Sequence, residues 1–458
     1  MRSWRLSTNI NMSKKGGPSG LGGIQAAQYE EDDEYLALFR LPKVDRRLKT
    51  GREILLHPIA PVTDENPIEI NIPSGPKEDY TLLTHTRWSG YMSIVRADGT
   101  ALQANDDVAP INNSPNSCIK STTLEINNTQ VNDMSSATYA HRDFLEKKLS
   151  FSRAAKDTHL RASGWIEDSP GMMDSITANA GYVTRKNIYA LSNKVYFNTT
   201  VPLDVMQCPR AIFGGIPMKI VFNRHNTYFS LMCKSSDKDK YKIIFGDVRL
   251  HIFRVTVDPS IVLRHQQMLK RTPANFPIVQ VKIKTFSVGQ GLTSFNIANI
   301  FRGLLPNTLY LGLLTGKAFS GDVTKNPFKF ENHDLNLICL RVNGEQVPNA
   351  QAFRPNWTTG EYVREYVNFQ HCVGVDANYL DNGITLGNYK DETCLHAFDL
   401  NPDQCNGFHS HATQEGNIDV DIELGTPTAE PLTVLVYAVF NSAITIDHDY
   451  NVSIGAIT

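Results

Sequence analysis

No run of apolar residues in this 458-residue chain approaches the ~18 needed to span a bilayer. The first residues, Met1 to Gly23, carry Arg and Lys but no apolar stretch of the kind a secretion signal requires. The expectation is therefore a soluble chain with no secretion signal and no transmembrane segment. Cysteine is sparse: seven residues, an odd number, with no CxxC spacing, which suits scattered thiols in a reducing compartment better than a disulfide framework. The sequons at Asn198, Asn356 and Asn451 then carry little weight, because an acceptor triplet matters only on a secreted chain. An excess of charge of one sign is missing too. The formal net charge is −2, so any capture of nucleic acid or an acidic membrane has to be local. The four tryptophans, Trp4, Trp88, Trp165 and Trp357, have no regular spacing and read as core or interface anchors.

Catalytic signatures are equally scarce. No GxxxxGK[ST], HExxH or GxSxG occurs, and Gly312 to Lys317 lacks the spacing and the Ser/Thr of a phosphate loop. His141-Arg142-Asp143 resembles a kinase triplet, but Lys148 stands where Asn is needed and no Asp-Phe-Gly follows. His141 and Asp143 could instead be the HxD of an iron oxygenase, whose triad needs both side chains on one face of a strand. They sit in a helix-like stretch, where residues i and i+2 diverge by about 200°, so a helix surface or a structural hydrogen bond is the better reading. Cys394, His396, Cys405, His409 and His411 form the densest cluster of zinc-competent side chains. Their spacing is no standard finger, residues 400–416 read as a surface loop where His is ordinary, and an unliganded loop is the better reading. No catalytic, cofactor or metal residue is assigned, and an enzyme is not expected.

What the chain does have is β patterning. Ile418, Val420, Ile422 and Leu424 alternate with Asp419, Asp421 and Glu423, the period of a half-buried strand. Leu432 to Phe440 is almost wholly apolar, as in a strand covered on both faces. Ala443 to Asp447 follows as a further strand segment, and Gly425, Pro427 and Pro431 supply the turn before Leu432. Similar signals run from Ile68 to Ile72, Val195 to Leu203, Pro217 to Phe222, Ile243 to Val257, Val279 to Lys284, Leu309 to Leu314 and Leu335 to Val342. Asp98-Gly99, Asn127-Asn128 and Asn343-Gly344 suit the positive φ of hairpin turns. Thr138 to Leu160, with Leu145 and Leu149 at i,i+4, predicts a helix, the one clear helix of the first half, and Glu361 to Phe369 a weaker one.

Residues 1–52 differ from the rest. Glycines are followed by an acidic cluster, Glu30 to Glu34, and a basic cluster of Lys43, Arg46, Arg47, Lys49 and Arg52. Too little apolar surface is present there to offset ordering entropy, so this segment reads as an arm, mobile until it meets a neighbour. Its basic cluster could touch DNA phosphates non-specifically, although a solvated or interface-bound arm is the blander reading. Met12 is a plausible alternative start. With the charged stretch His265 to Arg271 as connection, the domains are 1–52, 53–272 and 273–458. The fold class is all-β: two tandem jelly rolls with helical insertions and an N-terminal arm.

Ordered blocks carry a resemblance. Tyr91 to Gly99, Val108 to Asn113, Tyr139 to Leu149 with Ala154 to Lys156, Phe301 to Pro306, Ala318 to Gly321, Asn326 to Phe328, Phe398 to Leu400 and the closing stretch Gly416 to Asp447 together resemble the major capsid proteins of Polinton (Maverick) elements and adintoviruses. The tag-like N-terminus departs from that pattern, as does Thr81-Leu82-Leu83, where an Ile-Asp-Leu-like sequence is more usual. The resemblance implies a double jelly roll of two eight-stranded barrels that trimerises into a pseudo-hexagonal capsomer of an icosahedral DNA-virus shell. It further implies neighbouring capsomers, penton and minor capsid proteins as partners, no cofactor, and a virion location after synthesis in the host cytoplasm or nucleus. The alternative is a cellular two-domain jelly-roll module gripping carbohydrate or protein through loops such as that of Trp357 and Tyr362.

Overall fold

The computed structural model describes residues 46–63, 66–132, 137–348, 351–376, 380–404 and 411–456. The Gly-rich and acidic parts of the expected arm, with Trp4 and Lys43, lie outside these residues.

Ten strands form in the first half: β1 (Leu48–Leu56), β2 (Ile68–Ile72), β3 (Asp79–Arg96), β4 (Val108–Pro110), β5 (Ile119–Ile126), β6 (Thr129–Gln130), β7 (Val195–Thr200), β8 (Met218–Arg224), β9 (Leu231–Cys233) and β10 (Tyr241–Val257). Eight of them build two facing antiparallel sheets, β1-β10-β3-β7 and β2-β8-β5-β6, while β4 and β9 pair separately. The second half repeats the scheme with β11 (Ala274–Val288), β12 (Ser294–Ile297), β13 (Arg302–Leu304), β14 (Thr308–Thr315), β15 (Leu335–Val342), β16 (Glu345–Gln346), β17 (Leu395–Asp399), β18 (Glu415–Leu424), β19 (Leu432–Ile446) and β20 (Val452–Ala456). Its sheets are β11-β19-β14-β17 and β12-β18-β15-β16, with β20 added beside β19 and β13 beside β18. Counting only the eight sandwich strands of each half, both halves have the orders 1-8-3-6 and 2-7-4-5, which is the jelly-roll topology. Each roll is a two-sheet sandwich, not the closed barrel that the resemblance implied.

The hairpin signals divide. Asn127 (φ 48°) and Asn128 (φ 63°) join β5 to β6, and Asn343 (φ 53°) and Gly344 (φ 86°) join β15 to β16, as the left-handed turn requires. Asp98-Gly99 also turns, but the returning chain makes only the single bridge Val95–Ala101, because β3 takes β10 and β7 as its neighbours. The segments expected separately at Leu432 to Phe440 and Ala443 to Asp447 are one strand, β19, paired without interruption to β11 from Leu432–Val288 to Ile446–Ala274.

That ladder ties the halves together. Val434, Val436, Ala438 and Phe440 of β19 fill the interior of the second roll, with Ile418, Val420, Ile422 and Leu424 of β18 opposite. Ile444 and Ile446, with Phe276 and Ile278 of β11, pack instead into the first-roll core around Trp88, Phe222 and Phe245. Among the described residues four longer helices decorate the rolls: α1 (Tyr139–Ser150), α2 (Ala180–Tyr189), α3 (Pro259–Leu269) and α4 (Val363–Val373). Helix α1 falls where a helix was expected; α2 was not anticipated, since Gly181 and the β-branched Val183 and Thr184 weaken its local signal. Gly181 is required by packing, because a Cβ there would lie 2.2 Å from the Glu167 carbonyl oxygen. The stretch expected as a charged connection is the end of α3, which is N-capped by Asp258.

β1 starts at Leu48, inside the expected arm, and takes Lys49 and Arg52 into the sheet edge, where they pair with Asp258 (3.3 Å) and Asp79 (2.5 Å). These two members of the basic cluster are thus engaged with the first roll itself.

Candidate functional site at the seam between the rolls

Helix α1 is buried from Tyr139 to Leu149, although six of those eleven residues are His, Arg, Asp, Glu or Lys. A charged helix survives in an interior only when each charge finds a partner, and α1 finds its partners on both rolls. The reading of His141 and Asp143 as helix-surface residues is therefore corrected; the hydrogen-bonded reading is the one observed. His141 sits among Phe229, Phe319 and Phe328, and its Nε2–H donates to the carbonyl of Pro327 in the second half (3.1 Å). Desolvation in that aromatic box lowers its pKa to about 4. Asp143 faces away from it, accepting from Asn113 (2.6 Å), Asn116 (2.7 Å) and Lys147 (2.7 Å). Asn116 in turn accepts from the indole of Trp88 in the first core (2.8 Å).

Three polar clusters cross the seam. In the first, the Arg142 guanidinium donates to Glu146 (2.9 Å) and Asp204 (2.6 Å), and the same Asp204 oxygen accepts from the backbone N–H of Val281 on β11 (3.2 Å). Burial works against the Arg142 charge, but Asp204 and Glu146 outweigh it and hold the group protonated above its ordinary range. In the second, Lys148 pairs with Glu167 and with Glu392 of the second half (3.5 Å), while Lys156 donates to the carbonyls of Lys148 and Asn382 (2.7 Å each). Desolvation, then the neighbouring Lys148 charge, lowers Lys156 to about 7, and desolvation raises Glu392 to about 7. In the third, Asp168 accepts from Arg185 (2.6 Å), Asn179 (2.8 Å) and, across the seam, Asn326 (3.2 Å). Phe144 stacks on Phe328 between these clusters at 4.2 Å and 5°. Removing one member of such a buried pair leaves an uncompensated charge, which costs about 3–5 kcal/mol. Arg142→Met is accordingly expected to lower the stability of the folded chain by that amount in urea titrations; a loss under 1 kcal/mol would show the network to be dispensable.

The zinc-competent cluster does not assemble. Cys394 and His396 lie at β17 in the buried interior, Sγ and Nε2 3.7 Å apart, ahead of the loop expected over 400–416. His411 pairs with Asp403 (2.8 Å), and Cys405 and His409 lie outside the described residues. Among the described residues no three His, Cys, Asp or Glu side chains are placed to hold a metal ion, and no helix is long and apolar enough to cross a membrane. Trp357 and Tyr362 stack on each other at 5.0 Å, both at least nine-tenths buried, with the indole donating to the carbonyl of Leu335 (2.7 Å). They leave no open aromatic pocket, so the loop-tip binding site of the alternative reading is corrected.

What this geometry defines is a double jelly roll, two complete sandwiches locked side by side by a buried helix. No family model matches the chain. An uncharacterized protein of Caenorhabditis elegans is 23% identical over 355 residues, covering 76% of this chain and 82% of that protein. The chain also superposes on structures of virus particles. These include PBCV-1 VP54 fitted into a cryo-EM reconstruction of the virophage Sputnik (TM-score 0.59, 10% identity, 92% of this chain and 100% of that one). The Sputnik virophage structure gives TM-score 0.60 and 11% identity over 97% and 95% of the two chains. A quasi-atomic model of the PBCV-1 virus capsid gives 0.56 and 10% over 92% and 100%.

Proposed function

We propose that this chain is the major capsid protein of a DNA-virus-like particle, of the Polinton and adintovirus kind, working as a homotrimer whose six rolls form a pseudo-hexagonal capsomer. The observation that carries this reading is the match of nearly the whole chain, both rolls in order, to chains of virus and virophage particles. A nematode relative, covering most of both chains, suits an element integrated in animal genomes. The role is structural: two sandwiches fused through one ladder and a charged seam make a stiff block. Neighbouring capsomers, penton and minor capsid proteins are the partners, with the arm's basic cluster, apart from the engaged Lys49 and Arg52, making non-specific contact with packaged DNA, and the site of action is the virion shell. An obligate trimer needs an interface of well over ~2,000 Å². Native mass measurement and electron microscopy of the purified chain are expected to give a trimer and hexagonal capsomers or shells. A stable monomer at micromolar concentration would overturn the proposal.

A further inference from the structure

The outer face of the 1-8-3-6 sheet is treated differently in the two rolls. On the second roll it is closed: Tyr310, Leu314, Leu395, Leu435 and Tyr437 are buried beneath α4 and beneath Leu145 and Leu149 of α1. Helix α1 reaches them from the insertion between the fifth and sixth sandwich strands of the first roll, β6 and β7. On the first roll the equivalent face is covered only at one end, where Val262 of α3 packs over Tyr80, Val255 and Val257; around Tyr91 it is open. Phe197 of β7 points into the core, so its neighbour Tyr196 points outward and is 69% exposed, its ring edge against Tyr91 at 5.7 Å. The ammonium of Lys194 lies 4.7 Å over the Tyr91 ring, and Arg87 and Leu55 are exposed on the same sheet.

The insertion between the fifth and sixth strands of the second roll, residues 351–394, is the counterpart of the one that carries α1. It presents an unpartnered apolar edge: Val363 (49% exposed) and Val367 (52%) one turn apart on α4, with Leu380 and Leu386 also exposed. With Glu365 and Glu392 buried, its surface shows four acidic side chains (Glu361, Asp376, Asp381, Asp391) and three basic ones (Arg354, Arg364, Lys390), a slight acidic excess opposite in sign to the Arg87 and Lys194 of the open part of the sheet. We propose that α4 and its insertion in a second copy of this chain cover the outer face of the first-roll sheet β1-β10-β3-β7, around Tyr91 and Tyr196, repeating between copies the contact that α1 makes within one. The two surfaces differ, so the contact is heterologous, and the three-fold rotation of the proposed trimer is what closes it into a ring; internal and external contacts then alternate around six rolls. This rests on the trimer proposed above and names its interface.

The test uses the full chain. Tyr196→Asp and Val367→Asp, both at exposed positions, are expected to leave the circular dichroism of the fold unchanged. Each is expected to weaken association by about 30-fold or more, the loss seen when a central interface residue is disrupted. The double variant Tyr196→Cys/Val367→Cys, treated with a short bismaleimide, is expected to give linked dimers and trimers on denaturing gels, and neither single variant is. If the wild-type chain is a trimer while both Asp variants stay trimeric and the Cys pair does not link, this interface is wrong and the capsomer reading stands. A monomeric wild-type chain removes both.

Discussion

A chain ending before Gly416 is expected to lose the second roll altogether, and with it any assembly. The missing segment holds nearly all of β18 and the whole of β19 and β20. β18 lies between β12 and β15, and β19 between β11 and β14, so both sheets of the roll lose a central member, not an edge. The deletion also strips Ile444, Ile446 and Val452 from the first-roll core. Each large apolar side chain removed from a core costs about 2–5 kcal/mol. More than ten buried residues leave with this segment, against a total stability on the order of 5–15 kcal/mol. Limited proteolysis should degrade residues 273–415 while the full chain resists, and circular dichroism should show the lost strand content. A protease-resistant truncated chain with cooperative unfolding would show that the closing strands are dispensable.

Acid is expected to weaken the fold steeply below pH 6.5. Three buried histidines are held neutral by desolvation: His141 and His396, each lowered to about 4, and His225, lowered to about 3 and stacked on Phe229 at 3.7 Å. Among the described residues the Nδ1 atoms of His141 and His396 find no hydrogen-bond partner, so a proton added there would be a buried charge without an acceptor among them. A depressed folded pKa means that the unfolded chain binds protons first. The stability from these groups is therefore fully present above about 6.5 and is lost as pH falls through about 4. Each contributes a slope of up to about 1.4 kcal/mol per pH unit, about 4 for the three together. Glu392 works in the opposite sense. Its raised pKa gives a contribution present below 4.5 and lost as pH rises through about 7, so it offsets roughly one histidine between pH 7 and 4.5. Urea titrations at pH 7, 6 and 5 should trace the fall, and His141→Gln, which keeps a donor for Pro327, should flatten it by about one proton. A profile indifferent to pH over that range, or unchanged in the variant, would mean that these histidines titrate normally.

Much of the β framework was readable because periodicity reports burial. The alternation of β18 placed Ile418, Val420, Ile422 and Leu424 inside, and the two-sided apolar pattern of β19 matches its position between the second-roll core and the layer beneath α1 and α4. The charges of α1 misled for the same reason. Local reading assigns Arg142, Lys147 and Lys148 to solvent, and nothing nearby in the chain announces Asp204 or Glu392 as partners. The β17 signal is only five residues long, too short to announce that Cys394 and His396 are buried. Trp357 and Tyr362 looked like loop-tip aromatics until Leu335 and Tyr389 were brought against them.

The sequence by itself determined the all-β class, most strand positions, two of the hairpins and the division into two similar halves, because these depend on side chains two to four residues apart. The tertiary structure alone decided the 1-8-3-6 and 2-7-4-5 orders, the ladder pairing Ala274 with Ile446, the burial of a charged helix as the wedge between rolls, and how far each outer sheet face is covered. Periodicity encodes which face of an element is hidden from water; what hides it is chosen by residues far away in the chain.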